Sequence, residues 1–162
     1  LSLHDALPIL WNQASDAIEA MAMNQTVTFG NGCVSVSGKK GILMPNGMYQ
    51  RYPNLRLVLD DNGKNQYVYD AKRGINKIYG GKLVENVCQG IARCVIGEQM
   101  IKIGKKYDVV LTVHDAIACV VKEEEVLEAQ AYVEECMRWT PDWANGLPVN
   151  CESGMGKSYG EC

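Results

Sequence analysis

The chain has 162 residues, enough for one domain with its own core, and 47% of them are hydrophobic. Sixteen Lys and Arg stand against nineteen Asp and Glu, and the net charge of −3 does not by itself suggest a nucleic-acid binder. No apolar run approaches the roughly 18 residues of a membrane span, and the start lacks the basic-then-apolar pattern of a secretory signal, so no membrane partner is expected.

Leu1 to Ile9 resembles the translation of a common short-read sequencing adapter and is expected to be no native part of the fold. The chain is then expected to be truncated at its N-terminus, and His4-Asp5 is not a functional pair. Trp11 to Met23 reads as a short helix, with Ala14, Ala17, Ile18 and Met21 forming an apolar stripe. From Thr26 to Asp70 glycines punctuate short apolar runs. Pro45-Asn46-Gly47 predicts one hairpin, because Asn-Gly tolerates positive φ, and Asp61-Asn62-Gly63-Lys64 predicts a second. The tyrosines here suit either base stacking or sheet packing.

The longest predicted helix runs from Lys82 to Ile103. Leu83, Val87, Ile91 and Val95 define its buried face, widened by Val84, Cys88 and Ile96. Asn86, Gln89 and Arg93 share another face. Their amide and guanidinium donors suit minor-groove acceptors and phosphates, though a plain solvated face is the simpler reading of the residues alone. Gly90 would let a backbone approach closely.

Tyr107 to Val121 holds two β-branched, apolar runs around His114-Asp115. They predict a buried hairpin with an imidazole and a carboxylate at its tip. Lys122 and three glutamates then open a helix. Val126, Leu127, Ala129, Ala131, Val133, Cys136 and Met137 are expected on its buried side, with Arg138 in the last turn. Pro141 ends it, and Val149 to Glu152 is expected to be a final strand. The fold class is α+β, with antiparallel hairpins packed against two long helices.

Charge is unevenly spread. Lys39 to Lys82 carries nine basic residues against three acids, and Glu123 to Cys162 nine acids against two bases. The basic stretch suits a phosphate backbone, or is an ordinary solvated surface. The seven cysteines are odd in number and lack Cys-x-x-Cys spacing. With His114 the one credible histidine, they read as mostly buried apolar residues in a reducing compartment, not a zinc site or a disulfide framework. Gly154-Met155-Gly156-Lys157-Ser158 is not a P-loop, because Cys151 stands where that motif needs its first glycine.

Three segments carry a resemblance. Thr112-Val113-His114-Asp115 resembles the palm hairpin of family A (Pol I-like) DNA polymerases. Tyr79 to Arg93 resembles the preceding helix in phage-type members, with Gln89-Gly90 matching the family's Gln-Gly pair. Gly146 to Cys162 resembles their final strand and tail. The resemblance spans residues 10–162 as the C-terminal part of the palm. It implies template-directed nucleotidyl transfer to a primer 3′-hydroxyl, with Asp115 as a ligand of catalytic Mg2+ and His114 positioning the primer terminus. It implies that Gln89, Asn86 and Arg93 contact primer–template DNA, and that deoxynucleoside triphosphates are substrates. The site of action implied is a bacterial host's cytoplasm. Two positions depart from the family: Glu85 replaces an Asn, and Ala116 replaces an acid. The second metal aspartate and the fingers helix are expected upstream, so the fragment alone is expected to be inactive. A small non-catalytic nucleic-acid-binding or structural protein is the alternative.

Overall fold

Ala14, Ala17, Ile18 and Met21 bury one stripe of helix α1, Leu3–Ala22, which reaches back past the expected start at Trp11 and contains Pro8. The structure, a computed structural model, describes residues 3–30 and 32–162. Two compact units divide at Ile91 and Ala92.

In the first unit α1 is followed by a four-stranded antiparallel sheet in sequential order: β1 Thr26–Phe29, β2 Val34–Ser37, β3 Ile42–Leu43 and β4 Tyr49–Gln50. The Pro45-Asn46-Gly47 turn joins β3 to β4 as predicted. Gly47 takes φ 81°, its N–H donates to Met44 O at 2.9 Å, and Met44 N–H donates to Met48 O at 2.8 Å. A three-stranded antiparallel sheet follows, β5 Arg56–Leu59, β6 Asn65–Ala71 and β7 Gly74–Ile78. Its first turn also forms as predicted, with Asp60 Oδ1 accepting the N–H groups of Asn62 and Lys64 at 2.9 and 2.8 Å. Phe29, Val36, Ile42 and Ile78 join the α1 stripe in being buried.

Helix α2, Gly80–Ile103, begins in the first unit, where Leu83 and Val87 are buried. Cys88 is exposed, contrary to the sequence expectation. One residue adds about 100° of rotation, which carries it off the Val87 stripe. The expectation that most cysteines are buried holds for two of the seven. Cys94 and Cys136 are buried, Cys119 and Cys151 half-buried, and Cys33 and Cys162 exposed.

The second unit contains the rest of α2, a hairpin of β8 Val109–Val113 and β9 Ala116–Cys119, and helix α3, Val126–Arg138. A 3-10 turn at Glu123–Glu125 leads into α3. The core is Ile103, Tyr107, Ala129 and Cys136, with Val109, Ile117, Cys119, Tyr132 and Val133 packed against it. The hairpin is therefore half-packed, not buried. Val110, Leu111, Val113 and Val120 are 40–73% exposed. β-branched residues on both faces suggest a strand covered twice, but this two-stranded element packs on one side only. On α3 the inward stripe is Ala129, Tyr132, Val133 and Cys136 at i, i+3, i+4 and i+7, so Leu127 and Ala131 fall on the opposite, exposed side.

Val149 to Glu152 does not form the expected strand. This segment is held to α3 by side chains instead. Arg138 Nε donates to Asn150 Oδ1 at 3.1 Å, Cys151 Sγ to Glu134 O at 3.7 Å, and Gln130 Nε2 to Ser153 Oγ at 2.7 Å. The Ser153 hydroxyl donates in turn to Glu134 Oε1, a carboxylate that also pairs with Arg138 at 2.8 Å. These two contacts, the serine hydroxyl first, hold the Glu134 carboxyl below its ordinary range.

Candidate functional site

The hairpin tip is built from its base upward. Tyr107 meets Tyr132 edge to face at 5.8 Å, and the Tyr132 hydroxyl donates to Lys102 O at 3.0 Å. Lys106 pairs with Glu128 at 2.6 Å and lies over both tyrosine rings at 5.3 Å. These contacts fix the strands where they leave the core. The ladder then runs through Thr112↔Ile117 to a closing pair, Val113↔Ala116, so His114 and Asp115 form a two-residue turn.

His114 takes φ 54°, in the left-handed region that non-glycine residues enter uncommonly, His more readily than most. Both side chains are exposed, and neither makes a hydrogen bond or ion pair among the described residues. Asp115 is thus a carboxylate on an anchored mount with no cation among the described residues paired to it. Its oxygens suit a hard divalent cation. Among the described residues no three His, Cys, Asp or Glu side chains gather into a metal cluster, so Asp115 fits such an ion as one ligand, not as a complete set.

The α2 residues divide. Asn86, in the first unit, is half-buried and tied inward. Its Nδ2 donates to Tyr52 Oη at 3.2 Å, and its backbone carbonyl accepts from Gln50 Nε2 at 3.1 Å. Burial pushes the Tyr52 hydroxyl up to about 12, tempered by that Asn86 bond. Gln89 is exposed, with Nε2 3.4 Å from Glu85 Oε1, which also accepts from Lys82 Nζ at 2.8 Å. Arg93 is exposed where the same helix continues into the second unit. Gly90 gives room to a side chain: a Cβ there would lie 2.8 Å from Met44 Cε. The structure therefore brings His114 and Asp115 together at one tip. It leaves Gln89 and Arg93 open to solvent and commits the Asn86 amide to Tyr52.

One similarity accompanies this geometry. The chain is 31% identical over 153 residues to a DNA polymerase of Bacillus phage SP02. The match covers 88% of this chain and 23% of that relative, so the chain spans less than a quarter of the relative's length. It relates the chain to a DNA polymerase. No family model matches the chain, and no solved structure matches it.

Proposed function

We propose that this chain is the C-terminal part of the palm of a phage-type family A DNA polymerase, serving template-directed transfer of nucleotides to a primer 3′-hydroxyl. The observation that carries this reading is the exposed, uncompensated Asp115 at the tip of an anchored hairpin, in a chain 31% identical to a phage DNA polymerase. Asp115 supplies carboxylate oxygens for Mg2+, alongside ligands from elsewhere in the longer polymerase. A bound magnesium pair would lower the pKa of the primer hydroxyl and take up charge on the departing pyrophosphate.

His114, next to Asp115 in the turn, offers a ring N–H or lone pair to the sugar–phosphate of the primer end. That contact holds the terminus against drift. Gln89 presents an amide donor that suits the acceptors shared by all base pairs in the minor groove, and Arg93 a fork that suits phosphate. These contacts are insensitive to sequence, as copying any template requires. Ala116 puts a methyl group where the family places an acid, so a metal at Asp115 would be held with less negative charge nearby.

The test uses the polymerase encoded by this reading frame together with its upstream sequence. Asp115→Asn is expected to lower single-turnover primer extension by at least on the order of a hundredfold while leaving primer–template affinity nearly unchanged. Extension at the unsubstituted rate would remove Asp115 from the reaction and the reading with it.

A further inference from the structure

The three-stranded sheet of the first unit holds charge that the polymerase chemistry above does not use. Its β6–β7 ribbon ends in a tight turn, Lys72-Arg73, closed by the Ala71↔Gly74 pair with Gly74 at φ 120°. Both turn residues are exposed, as is Lys77 on β7. None of the three forms an ion pair among the described residues.

The acids of this sheet are engaged elsewhere or lie far off. Asp70 accepts from Asn54 at 2.7 Å and from Arg56 at 2.8 Å, and these contacts hold its carboxyl below the ordinary range. Asp60 accepts two N–H groups of its own turn, and Asp61 is in that turn with it. That turn is at the other end of β6, at the rise of a strand about 20 Å from Lys72-Arg73 and about 10 Å from Lys77, which pairs with Val68. The ribbon tip is left with unneutralised positive charge in a chain whose net charge is −3.

We infer that the β6–β7 ribbon, through Lys72, Arg73 and Lys77, grips the phosphate backbone of duplex DNA. The inference rests on the reading that this chain works on DNA. Three observations favour the duplex. The central strand offers little aromatic face for stacking single-stranded bases, since Tyr69 packs edge-on to Tyr52 at 5.1 Å and Tyr67 is half-buried, which leaves Tyr79, just past β7, as the one ring beside the ribbon that is mostly exposed among the described residues. Strand rise separates Arg73 from Lys77 by about 13 Å, close to the major-groove width of about 12 Å, and a two-stranded ribbon is an element that groove admits. The two-residue turn is fixed by its closing pair, so the cations are presented with little backbone freedom to lose.

Binding of a fluorescently labelled blunt duplex to the 162-residue chain, followed by anisotropy over a range of salt concentrations, tests this. The unsubstituted chain is expected to bind with an affinity that falls steeply with salt. The variant carrying Lys72→Ala, Arg73→Ala and Lys77→Ala is expected to flatten the slope of log affinity against log salt by about 2 to 3, while Lys72→Arg with Arg73→Lys and Lys77→Arg keeps it. Should the alanine variant lose its circular dichroism, Lys72→Gln with Lys77→Gln is read instead, with a flattening of about 2. No duplex binding by the unsubstituted chain, an unchanged slope in the neutralised variants, or stronger binding of single strands through the same residues would overturn the proposal. An unchanged slope beside a polymerase silenced by Asp115→Asn removes this contact and keeps the polymerase reading. A flattened slope beside an active Asp115→Asn polymerase does the reverse.

Discussion

Gln99 is a buried polar side chain, 1% exposed, whose amide nitrogen donates to Met137 O at 2.8 Å and Trp139 O at 2.9 Å. Both carbonyls lie at the end of α3, where no helical N–H reaches them. Gln99→Leu keeps much of the volume and leaves both carbonyls without a donor. A loss of about 2 kcal/mol in urea-unfolding stability is expected. Gly41 is fixed by a different cause: its φ is 109°, and a Cβ would sit 2.2 Å from Gln50 O. Gly41→Ala is expected to cost more than about 2 kcal/mol, read the same way, because a backbone carbonyl has to move. Tyr52 makes a pH signature. Its hydroxyl is raised from 10.0 to about 12 by burial, so the folded chain holds the proton more tightly than the unfolded one. The stability tied to it is complete below pH 10 and is lost as pH climbs toward 12. Tyr52→Phe, with nothing to ionise, is expected to unfold less steeply across that window in pH-dependent urea melts. None of these three roles shows in the sequence. Gln99 looks like a solvent-facing helix residue until the end of α3 is placed beside it, and Gly41 looks like any loop glycine until β4 passes over it.

At the scale of elements, local signals were legible and pairing partners were not. Asn-Gly and Asp-Asn-Gly turns specify their own geometry, so the β3–β4 and β5–β6 hairpins could be read directly. β7 has mostly exposed residues and an Asn-Lys centre, and β-propensity alone does not pick it out; it forms because β6 offers a free edge. Val149 to Glu152 has strand composition but meets a helix, and side-chain bonds from α3 replace a ladder. The β8–β9 turn is the most informative case. Its His-Asp tip was legible because two adjacent residues between apolar runs fix it, but the positive φ of His114 was not. Glycine enters that conformation without steric cost, and it adds unfolded-state entropy. His114→Gly is therefore expected to leave thermal stability within about 1 kcal/mol of the unsubstituted chain. The same change in the full polymerase is expected to raise the KM for primer–template extension and lower its rate. Equal loss of stability and activity would mean the imidazole serves the fold instead of the primer end.

At the scale of the whole chain, charge and chemistry are unevenly allotted. Residues 1–91 hold nine basic residues and seven acids, and residues 92–162 hold seven basic residues and twelve acids. The exposed carboxylate of the hairpin tip belongs to the acidic unit and the ribbon cations to the other. A pair of divalent ions needs several oxygen ligands to hold it against water, and one aspartate offers two oxygens. This is why only part of the candidate site was legible. Asp115 announces itself through its neighbours in sequence, whereas on the proposed reading the ligands that would complete a metal pair would lie far from it in sequence and leave no local trace. The chain spans 23% of the phage polymerase it resembles, so those ligands are sought in the remainder. The 162-residue chain, given primer–template DNA, all four deoxynucleoside triphosphates and either Mg2+ or Mn2+, is accordingly expected to extend no primer on a denaturing gel while still shifting duplex DNA at low salt. Extension by this chain alone would mean that one carboxylate suffices, or that its partners are among the chain's other acids. The division of labour between tip and ribbon would then have to be redrawn around whichever acid, once neutralised, stops the reaction.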